Sequence, residues 1–152
     1  MHIRQCASIT TGLLMLAVTA AHAQTNDPTL KGVWSAERYV LREGPTHEVA
    51  GRIFFTEREW TVLFFVIGDD GEPRRGSAEG GTYTLRNERL VFSHLFHLSR
   101  GDEMPGLAAS PLRMTVTPAA EAATEPSTIE VLGNRLTIFF PSGNSLEFRR
   151  VE

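Results

Sequence analysis

Apolar and polar residues alternate along most of this chain with a period of two, which is typical of β-strands with one buried face. The most apolar example is residues 60–67, where Trp60, Val62 and Phe64 would share a face. Its β-branched and aromatic residues, and the turns on both sides, favour a strand over a buried helix. No amphipathic helix longer than a turn or two is predicted. The pattern therefore indicates an all-β protein.

Eight or nine strands follow from this pattern. The predicted strands span residues 32–41, 51–56, 60–67, 78–86, 90–98, 112–117, 128–132, 135–140 and 145–151. Loops are predicted at residues 42–49, 68–76 and 100–110, and a loop or a single helical turn at residues 118–127. Because the connections look like sequential hairpins, we expect an eight- to nine-stranded antiparallel up-and-down β-barrel. Gly80 and Gly81, inside the fourth strand, indicate a bend or bulge.

The first residues form a predicted export signal. His2 and Arg4 precede an apolar run that is too short to span a bilayer, and Ala21-His22-Ala23 fits a signal-peptidase site. We therefore expect a signal peptide at residues 1–23, a flexible lead-in at 24–29 and one domain at 30–152. The expected location is the periplasm or the exterior of the cell.

Composition excludes several functions. The formal net charge of −3 argues against a nucleic-acid partner. The single cysteine, Cys6, lies in the predicted signal, so cysteine nucleophiles, disulfides and thiolate metal sites are excluded from the expected mature chain. No second long apolar run follows, so no membrane span is expected after cleavage, and no cofactor is indicated.

A glycine and a tryptophan open the first predicted strand. Trp34 could plug one end of a small barrel, and Gly32 would let the chain pass closely beneath it. The expected inner face comprises Trp34, Trp60, Val62, Phe64, Tyr83, Phe92, Phe96, Leu136, Ile138, Phe140, Leu146 and Phe148.

Several short motifs occur together in a familiar order. They are Leu30-x-Gly32-x-Trp34, Phe54-Phe55-Thr56, Gly81-Thr82-Tyr83, and a last strand with Gly143 before it and Arg149-Arg150-Val151 at its end. In this order the chain resembles bacterial lipocalin-like domains, which have a calycin-type β-barrel. The resemblance implies that Trp34 lies across the closed end and that an arginine of the last strand packs over it. Arg150 is expected in that role, and Arg149 if the strand slips by one residue. It also implies a ligand that is small and mostly apolar, although no C-terminal helix is predicted.

Three polar residues could anchor such a ligand. His94 would share a face with Phe92 and Phe96, and Arg38 would follow Trp34 on the inner face of the first strand. With Tyr83 they could bind an anionic or hydroxyl head group, while Trp60, Phe64, Phe92 and Phe96 contact the apolar part. Alternatively, Arg38 extends into solvent at the barrel mouth and His94 bonds to the backbone.

Other chemistry is weakly indicated. His94 and His97 are three residues apart, which in a regular strand puts them on opposite faces, so no shared metal ion is expected even with His47 nearby. No catalytic motif is present. We therefore expect a ligand-binding protein; an enzyme that works inside the barrel has only His94, Tyr83 and Arg38 in its favour. The alternative is a periplasmic interaction or inhibitor module that uses residues 68–76 and 100–110, and an inner face packed solid would favour it.

Overall fold

A computed structural model describes residues 30–152; the predicted signal peptide and lead-in lie outside this range. The strands are β1 (Gly32–Val40), β2 (Thr46–Phe55), β3 (Glu59–Ile67), β4 (Pro73–Arg86), β5 (Arg89–Gly101), β6 (Ser110–Val116), β7 (Thr124–Leu132), β8 (Arg135–Phe139) and β9 (Ser145–Arg150). A 3₁₀ turn at Ala119–Glu121 is the only helical element among these residues.

The nine strands form one antiparallel sheet, and eight of them close into a barrel. Strands β1 to β5 follow one another, β7, β8 and β9 continue from β5, and β9 returns to β1. The predicted all-β, up-and-down barrel is thus confirmed, with β6 as an extra strand. This is consistent with a calycin-type fold.

Four predicted loops are shorter than expected. Strand β2 begins at Thr46, β4 at Pro73, β6 at Ser110 and β7 at Thr124, each inside a segment that the sequence indicated as a loop. The glycines, prolines and charges of these segments suggested turns, but ladder pairing extends through them. For example, Arg75 pairs with Gly101 across β4 and β5. Local turn signals are overridden here by pairing with distant strands.

Strand β5 changes partner halfway along its length. On one side it pairs with β4 throughout, but on the other it pairs with β7 only over Arg89–Ser93 and then with β6 from Phe96 onward. The barrel wall therefore closes fully only near one end, which we call the closed end. The open end carries the loops at residues 41–45, 68–72, 102–109 and 140–144.

The core follows the two-residue period of the strands. The predicted inner residues Trp34, Trp60, Val62, Phe92, Leu136, Ile138, Leu146 and Phe148 are buried, and Phe64, Tyr83 and Phe140 pack against them. Phe96 is the exception. It is 41% exposed and lies on the outer face, so its predicted inward position is wrong.

Trp34 lies at the closed end and is completely buried. Its indole Nε1 donates a hydrogen bond to the Leu30 carbonyl at 2.8 Å, and the Arg150 guanidinium carbon lies 4.0 Å from the centre of its ring. Arg150 also donates to the Lys31 carbonyl at 3.0 Å. Gly32 has φ +123°, and a Cβ there would lie 3.2 Å from the Arg150 guanidinium. The positions of Trp34 and Arg150 match those that the resemblance implied, whereas Arg149 donates to Glu37.

Replacing Trp34 with alanine should lower the free energy of unfolding by about 3–5 kcal/mol, since a buried ring, a hydrogen bond and a cation–π contact are lost together. Urea denaturation monitored by circular dichroism measures this. Leu132→Ala is the control, because Leu132 is 65% exposed and its loss should change stability by less than about 0.5 kcal/mol. A loss below about 1 kcal/mol for Trp34→Ala would contradict its role at the closed end.

Candidate functional site

A cavity of about 340 Å³ lies inside the barrel toward its open end. Its apolar wall includes Ile53, Val62, Val66, Ile138, Leu146 and Phe148, which come from β2, β3, β8 and β9. Leu107 and Phe140, from the loops of the open end, also line it. The inner face is therefore not packed solid. A volume in this range suits a small organic molecule.

One extra residue in β5 decides which side chains enter this cavity. Gly81 pairs with His94 and Gly80 with Phe96, so Leu95 is unpaired and forms a β-bulge. The bulge shifts the inward and outward alternation by one residue. His94 and His97 therefore both line the cavity, and the prediction that they lie on opposite faces is wrong.

The two histidines face one partly buried carboxylate, that of Glu79 on β4. His94 Nδ1 lies 3.1 Å from one carboxylate oxygen, and His97 Nδ1 lies 3.4 Å from the other. The Ser77 hydroxyl donates to the second oxygen at 2.7 Å. We call these four residues, together with Ser99, the polar cluster; Ser99 Oγ lies 2.7 Å from His97 Nε2. The cluster forms a hydrogen-bonding wall beside the apolar one, since Glu79 pairs with Val62 across β4 and β3.

The polar cluster keeps Glu79 ionised. Burial raises its pKa, but hydrogen bonds from His94 and Ser77 and the nearby histidine charges outweigh this and lower the pKa to about 2. The hydrogen bond to Glu79 raises the pKa of His94, against the opposing effect of burial. Burial also raises the pKa of Glu125, a β7 residue on the cavity wall. The cavity therefore holds one firmly ionised carboxylate with a histidine that protonates readily.

Ser99, His97 and Glu79 stand in the order of a nucleophile, a base and an orienting acid. The His97–Glu79 separation of 3.4 Å is longer than the 2.6–3.2 Å expected of an oriented base. This pair is an electrostatic contact in the structure. Among the described residues, no group of three or more histidine, cysteine, aspartate or glutamate side chains has the geometry to hold a metal ion.

Trp60 has an unsatisfied donor. The residue is 4% exposed and lines the cavity, and its indole Nε1 has no hydrogen-bond partner within residues 30–152. Leaving a buried donor unpaired costs about 1–3 kcal/mol. An acceptor atom on a bound molecule would remove this cost.

The structure brings together four of the seven predicted ligand residues. Trp60, Phe64, Phe92 and His94 line the cavity. His94 also makes an edge-on contact with the Trp60 ring, whose centre is 5.3 Å from that of the imidazole.

The other three predicted ligand residues lie elsewhere. A bulge at Glu37 in β1 turns Arg38 outward, where it binds Glu147 at 2.8 Å and its side chain is 53% exposed. Tyr83 lies near the closed end, and its hydroxyl donates to the Thr56 carbonyl at 2.8 Å. The Phe96 ring covers Gly80 on the outer face. The prediction that Arg38 and Tyr83 converge with His94 is wrong.

Sequence reasoning missed Glu79, His97 and Tyr39 as cavity residues. Tyr39 replaces Arg38 on the inner face because of the bulge in β1. For Glu79 a signal was present, since the two-residue period puts it on the same face of β4 as Tyr83, which was expected inside. For His97 it was indirect, because the glycines indicated a bulge in the fourth strand, whereas the unpaired residue is Leu95 in the neighbouring β5. His47 lies apart from the cluster and donates to the Pro105 carbonyl at 3.0 Å.

The interaction free energy between the Glu79 and His94 side chains should depend on pH. The stabilisation from Glu79 is present above its unfolded pKa of 4.5 and is lost as the pH falls toward 2, whereas that from His94 is present below 6.5 and is lost as the pH rises through its raised folded pKa. A double-mutant cycle with Glu79→Gln and His94→Gln should give a coupling of about 1–3 kcal/mol at pH 5.5 and less at pH 9. Urea denaturation at both pH values measures it. Equal coupling at the two pH values would contradict this assignment.

No helix in the described part of the chain is long and apolar enough to cross a membrane. Comparisons of the chain with protein-family models, with curated proteins and with solved structures found no match. The proposed function therefore rests on the closed antiparallel barrel and the geometry of its cavity.

Proposed function

We propose that this protein is an exported, lipocalin-like protein that binds a small apolar or amphipathic molecule inside its barrel. The observation that carries the proposal is the cavity of about 340 Å³, which has an apolar wall, a polar cluster and an unsatisfied Trp60 donor. A barrel whose only task was structural would gain stability by filling this space.

The chemistry of the two walls suggests how the molecule would be oriented. Its apolar part would contact the side chains around Val62 and Phe148, while a hydroxyl or carbonyl group would face Trp60 and His94. Arg38 is outside the barrel and has no part in this proposal.

The lipocalin-like assignment is supported by the closed barrel and by the Trp34–Arg150 contact at its closed end. The interaction-module alternative has weaker support. The two loops it would use shorten to residues 68–72 and 102–109, and Arg75 ties the second loop to the barrel through the Asp102 and Ala108 carbonyls.

Native mass spectrometry of the purified protein should reveal a retained small molecule, or binding from a panel of fatty acids and isoprenoids. Trp60→Phe should weaken that binding about three- to tenfold, because it removes one hydrogen-bond donor but keeps an aromatic ring. Arg38→Met is the matched control and should bind as the wild type does. The proposal fails if nothing is retained and no member of the panel binds. Equal weakening by both substitutions would contradict the assigned site.

Export should be visible in the mass of the protein. When the full chain is expressed with its own N-terminus in a bacterium, the periplasmic fraction should contain a chain that begins at Gln24. Intact mass spectrometry of the periplasmic and cytoplasmic fractions measures this. Recovery of the full-length chain in the cytoplasm alone would contradict export.

A further inference from the structure

Large apolar side chains cover the outer face of β3, β5 and β6. Seven of them, with exposed fractions from 39% to 87%, form what we call the outer patch: Leu63, Phe65, Phe96, Leu98, Leu112, Met114 and Val116. Strand β6, which carries the last three, pairs only with β5 in the sheet. These residues therefore face solvent in the isolated chain.

The patch is larger than monomers usually expose. If each side chain contributes its exposed fraction of roughly 150–250 Å², the patch covers on the order of 600–900 Å². The largest apolar patch of a typical monomer is about 300–600 Å², whereas each partner in a standard interface buries about 800 Å². The outer patch is thus the size of one side of a stable interface.

Strand register makes the patch continuous. Leu63 pairs with Ala78, Ala78 with Leu98, and Leu98 with Met114, so one apolar row crosses four strands. In the neighbouring row, Gly80 pairs with Phe96 and Phe96 with Val116. Across β3 to β6 these two rows contain no charged residue; beside Leu63, Arg52 of β2 borders the patch.

The outer face has a shallow dip on β4 and a ridge with a projecting side chain on β6, and both lie in the same row of the sheet. The outward positions of β4 are Gly76, Ala78 and Gly80, and the rings of Phe65 and Phe96 lie over the two glycines. Ala78 is therefore the floor of a shallow dip between two aromatic rings. Met114, two strands away in the same row, is 70% exposed and projects from the ridge on β6.

Dip and ridge are equally far from β5, which lies between them. A two-fold axis parallel to β5 and above it would superpose β6 of one copy on β4 of the other. Since this rotation preserves position along the strands, Met114 of each copy would face Ala78 of the other, with Leu98 of both copies near the axis. Stacked sheets of about 10 Å separation pack in this face-to-face manner.

We propose that the outer patch is covered by a second copy of this chain in a symmetric, face-to-face dimer. This dimer does not depend on ligand binding, because it uses the outer face of the sheet. The one charged outward residue beside the patch on β5, Arg100, lies 3.4 Å from Asp102. An acidic partner therefore accompanies this cation near the axis.

Sedimentation velocity of the purified full chain should show a dimer that dissociates on dilution. Met114→Glu should raise the dissociation constant at least about a hundredfold, because two carboxylates would be buried without partners. The thermal unfolding of this variant should match that of the wild type when both are measured at a protein concentration low enough for the wild type to be monomeric, since Met114 is exposed in each chain. Leu132→Glu is the matched control, because Leu132 is 65% exposed on β7, outside the patch. The Leu132→Glu variant should remain dimeric.

A cross-link tests the position of the axis. In a Cys6→Ser background, which removes the only native cysteine, a bismaleimide cross-linker that spans about 8–10 Å should join Leu98→Cys chains into a covalent dimer and should not join Leu132→Cys chains. Sheets stacked about 10 Å apart leave the two sulfur atoms too far apart for a direct disulfide. The proposal is overturned if the wild type remains monomeric, if Met114→Glu remains dimeric, or if Leu132→Cys cross-links in place of Leu98→Cys. Monomers that instead float with phosphatidylcholine vesicles would assign the patch to a lipid surface.

Discussion

One extra residue in β5, Leu95, decides which later side chains of that strand point into the barrel and which point outward. Before Leu95, the regular alternation directs His94 inward; beyond it, His97 points inward and Phe96 points outward. The neighbouring strand β4 has room only for glycine at this point, since a Cβ on Gly81 would lie 1.9 Å from the Ser93 carbonyl oxygen. The inward position of His97 and the outward positions of Phe96 and Leu98 follow from this bulge.

The change of partner along β5 completes the site. Near the closed end, pairing with β7 closes the wall around Trp34, and the core there is fully buried. Toward the open end, β5 continues with β6, which leaves the barrel, and the enclosed space becomes a cavity. The fully buried core and the cavity thus lie at opposite ends of one sheet.

Glu79 illustrates how a charge is tolerated in such a cavity. A buried carboxylate without partners would take up a proton, because desolvation disfavours its charged form. Here two imidazoles and the Ser77 hydroxyl surround it, so the pKa falls to about 2. The same contacts hold both imidazoles in place, and in the proposed function this would preorganise His94 for the ligand.

The sequence by itself determined the all-β class, the approximate strands and most of the core, because the two-residue period and the turn residues are local properties. It also indicated a bulge at Gly80 and Gly81. Only the tertiary structure decided the consequences of the bulges: Arg38 and Phe96 on the outer face, Tyr39 and His97 on the inner one. The reason is physical, since one unpaired residue reverses every later side chain in its strand, and its position depends on the register with a partner strand.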